Sequence, residues 1–298
     1  MSRGLIKITS SFLLVAVIVM LFASYLTPYT YATSLQYSRA NQNIAYNSLA
    51  IIDYSNASQG TVSVSYIGGT DRQIVVEIRK NDRLTGLGDS YFYRINNYGK
   101  PEQLVLSEGN GRYVINVFRA IGVTQHNRIL STTIEVTLTC EFMPFLQPNK
   151  FVNFTTDGAV AELAERLRRD CPIATTRFVF RYVHNNMTYD FELARSESLG
   201  WYEPNLEELL LVTRRGICFD FASLMTALLR LNDIPAKMVF GYFEGKYWHA
   251  WVNAYFPEYG WVILDPTMNM GDDRVLQATR IVGRQHFDET YFDAGKFF

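Results

Sequence analysis

Three residues of chemically useful type follow one another in the order Cys218, His249 and Asp265. A thiol sulfur can attack a carbonyl carbon, an imidazole can take and return its proton, and a carboxylate can hold the imidazole in one tautomer. Each residue alone has a plain structural reading: a small core hydrophobe, a packed histidine, an Asp-Pro turn. Their neighbours argue for the chemical one. Gly216 offers a flexible entry, after which Phe221, Leu224, Met225, Leu228 and Leu231 recur at helical spacing. The spacing predicts an amphipathic helix ending near Asn232, before Pro235. Cys218 then lies in or just before the first turn, where unpaired N–H groups and the positive end of the helix dipole favour a thiolate. Lys237–Tyr242, Tyr247–Tyr255 and Gly260–Thr267 read as strands, with His249 inside the second and Asp265 at the end of the third. Antiparallel pairing of these strands places His249 beside Asp265, at the mouth where the helix begins.

The strings Gly216-Ile217-Cys218-Phe219-Asp220-Phe221-Ala222, Leu228-Leu229-Arg230 and Ile234-Pro235-Ala236-Lys237 resemble the core of the transglutaminase-like superfamily. So do Gly241-Tyr242, His249-Ala250-Trp251 and Trp261…Asp265-Pro266-Thr267. The resemblance implies a papain-like α+β fold, with the nucleophile helix packed on an antiparallel sheet. It implies Cys218 as nucleophile, His249 as general base and acid, Asp265 as the orienting carboxylate, an acyl-enzyme intermediate, and no metal or other cofactor. Asn253-Ala254 departs from the pattern, since a carboxylate is frequent near that position. The backbone N–H of Cys218 is one expected oxyanion donor. Tyr189, Trp201 and Tyr202 are candidates for the second by position, each with an alternative as a packing aromatic. Asp220 reads as a partner for the first helical turn.

These residues need elements to carry them. From Gly60 to Glu141 the chain alternates with period 2: Val62, Val64, Tyr66; Ile74, Val76, Ile78; Tyr91, Tyr93, Ile95; Tyr113, Ile115, Val117; Ile134, Val136, Leu138. Turn residues such as Gly68-Gly69 and Gly109-Asn110 separate the runs, so a β-sandwich-like region is expected. Residues 33–58 have a polar, mixed texture. The Met143–Asn149 stretch, with two prolines, reads as a linker. Beyond it, Asp157 is expected to cap a helix running to about Arg169, with Val160, Leu163, Ala164 and Leu167 on one face. A second helix follows Pro172, and a short one spans Leu206–Leu211. The expected organisation is an N-terminal targeting segment (1–32), a β-sandwich-like accessory domain (33–143), a linker (144–150) and an α+β catalytic domain (151–298). The tail from Gly283 to Phe298 is expected to pack on the core.

Composition narrows the function further. The 298 residues are 48% hydrophobic and 19% charged, which excludes a disordered chain. A net charge of -1 argues against a nucleic-acid partner. Arg3 and Lys7 precede the apolar run Phe12–Leu26, which is shorter than the about 20 residues a span requires. This segment reads as a cleaved signal peptide or an uncleaved membrane anchor, with a buried core helix as the third reading; the first two place the remainder outside the cytoplasm. Cys140 and Cys171 are free to pair with each other, leaving Cys218 unpaired. The expected function is an exported thiol enzyme acting on peptide or glutamine amide bonds of a protein or peptide substrate, cell-surface molecules included. The alternative is a non-catalytic surface or cell-wall binding protein that uses the β domain and keeps the core as a scaffold.

Overall fold

The structure is a computed structural model that describes residues 43–69, 73–80, 90–122, 125–196, 203–244, 246–267 and 291–297. The N-terminal apolar run, Trp201 and Tyr202 lie outside these residues. Among the described residues no helix is long and apolar enough to cross a membrane.

The period-2 alternation becomes two four-stranded antiparallel sheets. One has the order β1 (Ile44–Tyr46), β2 (Ala50–Asp53), β3 (Thr61–Tyr66) and β6 (Glu102–Val105). The other has the order β5 (Ser90–Ile95), β4 (Ile74–Lys80), β7 (Gly111–Ala120) and β8 (His126–Val136). Val62, Val64 and Tyr66 of one sheet and Ile74, Val76, Ile78, Ile115 and Val117 of the other are buried in one cluster, as a sandwich requires. β1 and β2 fall in the stretch read as polar texture. They are only three and four residues long, too short to establish a period.

The expected linker is a fixed structure. Met143–Phe145 forms a 3-10 turn with Pro144 and Phe145 buried. Gly60, at φ 81°, lets the backbone pass against Pro144, where a Cβ would come within 2.4 Å of the proline ring. The Gln103 amide donates to the Pro148 carbonyl at 2.8 Å, and the Arg230 guanidinium donates to the Gln147 carbonyl at 2.6 Å.

The helices follow their apolar stripes. In α1 (Ala159–Leu167) the buried residues are Val160, Leu163, Ala164 and Leu167, as the spacing predicts. Its cap differs from expectation: Asp157 does not serve. Glu207 accepts from the N–H groups of Ala159 and Val160 at 3.0 and 3.2 Å, so a carboxylate from a later element satisfies donors that lack helical partners. α2 spans Pro172–Asn186 with Pro172 in its first turn, and α3 is the short Phe191–Ala194. Leu206–Glu208 continues as a π-helical turn through Thr213. β9 (Thr188–Tyr189) and β10 (Arg215–Gly216) form a two-residue parallel ladder.

α4 (Cys218–Arg230) carries the expected apolar stripe, but every residue from Phe219 to Arg230 is buried. The helix is a central strut rather than a surface amphipath, because the sheet β13-β12-β11-β14 covers one side while α1 and α2 pack on others. That sheet consists of β11 (Ala236–Phe243), β12 (Tyr247–Phe256), β13 (Gly260–Leu264) and β14 (Tyr291–Phe297), all antiparallel. Of the tail, Tyr291–Phe297 forms β14, whose backbone pairs with β11 with a register shift between Phe240 and Gly241, while residues 283–290 and 298 lie outside the described residues.

Candidate active site

Cys218 is the first residue of α4 and is half-buried. Two local features set the start of this helix. The Asp220 carboxylate, fully buried, curls back to accept from the Ile217 N–H at 2.8 Å. Gly216 makes room for it, since a Cβ there would lie 2.5–2.7 Å from the Asp220 side chain. Asp220 is therefore committed to the helix start, as the sequence suggested.

His249 comes from β12 and Asp265 from the residue just beyond β13. The pairing Val252↔Leu264 between these strands brings the two side chains together. The His249 Nε2–H donates to Asp265 Oδ2 at 2.6 Å. Asp265 is 1% exposed, and its other oxygen accepts from the Thr267 hydroxyl at 2.6 Å and the Thr267 N–H at 2.9 Å. Thr267 thus takes Oδ1 and leaves Oδ2 for the imidazole. From α2, His184 Nδ1–H donates to the Pro266 carbonyl at 3.1 Å and pins the same turn. Sequence reasoning places Thr267 within a motif string but gives neither residue a role. The Asp-x-Thr spacing, an Asx-turn pattern, was the signal available for Thr267; nothing local marks His184.

Cys218, at the head of α4, lies close enough to the imidazole to influence its titration. Burial alone would lower the His249 pKa. The bond to Asp265 and the neighbouring Cys218 outweigh it and raise the ring to about 10. Burial likewise opposes the Asp265 charge, but the His249 and Thr267 bonds prevail and hold the carboxyl below its ordinary value.

Of the upstream aromatic candidates, Tyr189 is within the described residues and neighbours Cys218. Its half-buried phenol lies close enough for the two groups to influence each other. Burial, then the neighbouring Cys218, pushes the phenol up to about 12, so it remains a proton donor. The β9–β10 ladder places it: Gly216 pairs with Tyr189, and the Asp190 N–H donates to the Gly216 carbonyl at 2.8 Å. A bidentate pair between Arg215 and Asp190, at 2.7 and 3.2 Å, closes the ladder, and Asp190 also caps α3. Cys140 and Cys171 are exposed free thiols that do not pair with each other, the second serving as the α2 cap.

Residues 161–266 match the family model described as Transglutaminase-like superfamily. Over 82 residues, 22% of the chain, the sequence is 38% identical to the uncharacterized protein YebA of Bacillus subtilis, 11% of whose length is covered. Over 85 residues, 24% of the chain, it is 34% identical to the protein-glutamine gamma-glutamyltransferase of Pseudomonas aeruginosa, of which 13% is covered. The matched stretch is therefore a small part of both relatives. Among solved structures, the periplasmic domain of TgpA from Pseudomonas aeruginosa aligns at a TM-score of 0.37 and 17% identity, over 78% of this chain and 100% of that one. Red sea bream transglutaminase aligns at 0.32 and 12% identity, over 72% of this chain and 48% of that one.

Proposed function

Because the chain carries a transglutaminase-like core over residues 161–266, we propose that it is a thiol enzyme that transfers or hydrolyses acyl groups at peptide or glutamine amides, outside the cytoplasm. The reading assigns Cys218 as nucleophile, His249 as proton carrier and Asp265 as the carboxylate that orients it. The observation that carries it is the 2.6 Å bond from His249 Nε2 to a buried Asp265 oxygen, with Cys218 heading α4 in the neighbourhood of the same imidazole.

In the proposed cycle the sulfur, as the anionic partner of the His249 imidazolium, attacks the amide carbon and forms a C–S bond. The carbonyl oxygen takes the negative charge and is received by the Cys218 N–H and the Tyr189 hydroxyl. The imidazolium gives its proton to the leaving nitrogen, the C–N bond breaks, and a thioester remains. The neutral imidazole then accepts a proton from water or from an amine as that nucleophile attacks the thioester. The C–S bond breaks, restoring the sulfur–imidazolium pair. Water yields hydrolysis; a primary amine yields a new amide. The 34% identity to a protein-glutamine gamma-glutamyltransferase supports the amine branch, and the charged start and apolar run of residues 1–26 support export.

Incubation of the protein with a casein substrate, with and without an added fluorescent primary amine, tests the reading. The expected result is amine incorporation or casein cleavage that disappears in Cys218→Ala. Product formation that persists in Cys218→Ala would remove Cys218 from the mechanism.

A further inference from the structure

Asp265 lies one residue past the last pair of the β12–β13 ladder, Val252↔Leu264, so side chains rather than strand pairing hold the turn that carries it. One of these is His184, in the last turn of α2. Its ring stacks on buried Phe180, one helical turn earlier, at 5.9 Å between centroids and 16° between planes, which sets the direction of Nδ1. Nδ1 meets the Pro266 carbonyl at 3.1 Å; a carbonyl only accepts, so Nδ1 carries the proton there. Pro266 is buried, and its oxygen belongs to the same planar peptide unit as the Thr267 N–H. In a trans peptide these two groups point in opposite directions. The oxygen faces His184, and the N–H donates to Asp265 Oδ1 at 2.9 Å. The other oxygen of that carboxylate accepts from His249 Nε2 at 2.6 Å. A chain of hydrogen bonds thus runs from α2 through one peptide plane and one carboxylate to the candidate imidazole.

We infer that His184 is a positioning residue for the thiol site: its grip on the Pro266–Thr267 peptide plane aims the Thr267 N–H at Asp265 Oδ1, which leaves Oδ2 facing His249 in one orientation. The inference rests on the thiol-enzyme reading above and deepens it by extending the set of Cys218, His249 and Asp265 to α2. The Thr267 hydroxyl also reaches Oδ1, at 2.6 Å, but it follows the backbone of its own residue and holds the carboxylate only as well as the turn is held. Hydrogen bonds in such a chain polarise one another, so losing the first link weakens the later ones. A misaligned Asp265 no longer fixes the direction of the imidazole, and the loss is felt most at low pH, where an unassisted thiol is not ionised.

The test measures Cys218 alkylation by iodoacetamide in the full-length protein, at about pH 6.5 and about pH 9.5, on either side of the ordinary thiol range. The rate is read by peptide mass spectrometry against the exposed Cys140 of the same chain. Two variants separate the hydrogen bond from the packing. His184→Phe keeps a ring for Phe180 and removes the donor; His184→Asn gives up the ring and keeps an N–H at the place of Nδ1. His184→Phe is expected to slow labelling about fivefold at the lower pH, the factor that one hydrogen bond of about 1 kcal/mol provides. At the higher pH, where an ordinary thiol is ionised, its rate is expected to stay within about twofold of the unmodified protein. His184→Asn is expected to keep the unmodified rate within about twofold at both. In an Asp265→Asn background, His184→Phe is expected to add no further slowing. An unchanged rate in His184→Phe at the lower pH, equal slowing in both variants, slowing of one size at both pH values, or an effect that persists in Asp265→Asn would each overturn the inference. The enzyme reading stands in those cases if His249→Ala still slows labelling at the lower pH; if neither His249→Ala nor His184→Phe slows it, both fall.

Discussion

At the scale of single residues, the site depends on how two oxygens of one carboxylate are divided. Thr267 holds Asp265 Oδ1, so Oδ2 is presented to His249 in one orientation. The pair also links stability to pH. His249 is raised to about 10 in the folded chain, so its contribution is complete below its unfolded value of 6.5 and is lost as pH rises through about 10. Asp265 is lowered, so its contribution is present above its unfolded value of 3.8 and is lost as pH falls through the folded one. The urea midpoint of the unmodified protein should therefore decline from neutral pH toward 10 more steeply than that of His249→Gln. Parallel curves would show that the pair does not act this way. For Tyr189→Phe, steady-state kinetics should show kcat reduced about 100-fold with KM little changed, the signature of a lost oxyanion donor. An unchanged kcat would leave Tyr189 as a packing residue.

At the scale of elements, the helix that starts at Cys218 and the strands bearing His249 and Asp265 were legible because apolar spacing of 3.6 and 2 persisted over enough residues. Less legible was whatever required a distant partner. Glu207 caps α1 from 48 residues along the chain, and no local signal could set it above Asp157. The burial of α4 on every side follows from what packs around it, not from its own stripe. The placement of Tyr189 rests on a two-residue parallel ladder, which no local pattern announces. Glu207→Ala should destabilise the protein by about 1 kcal/mol through the unsatisfied start of α1, measured by urea unfolding. An unchanged midpoint would mean that water replaces the carboxylate without cost.

At the scale of the whole molecule, the sandwich sheets and the α+β core contribute to one buried cluster extending from Ala50 to Leu264. Charged residues also join the two parts. Lys150, 8% exposed, pairs with Glu102 of β6 and with Glu203; Glu102 additionally accepts from the N–H groups of Asn96 and Asn97 at 2.7 and 2.6 Å. Removing the ammonium would leave two carboxylates without their cation, one of them buried. Lys150→Ala should therefore cost about 3–5 kcal/mol in chemical denaturation, and a loss below about 1 kcal/mol would show that the pair is not a joint between the layers.

The central claim is that Cys218 and His249 act as one proton-sharing pair, and the most direct measurement is the pH dependence of Cys218 alkylation by iodoacetamide, followed by mass spectrometry in the unmodified protein and in His249→Ala. The account predicts rapid labelling at about pH 6.5, two units below the ordinary thiol range, and slowing of at least about tenfold in the variant at that pH. Labelling that rises only as an ordinary thiol does near pH 8.5, or that is indifferent to His249, would contradict it.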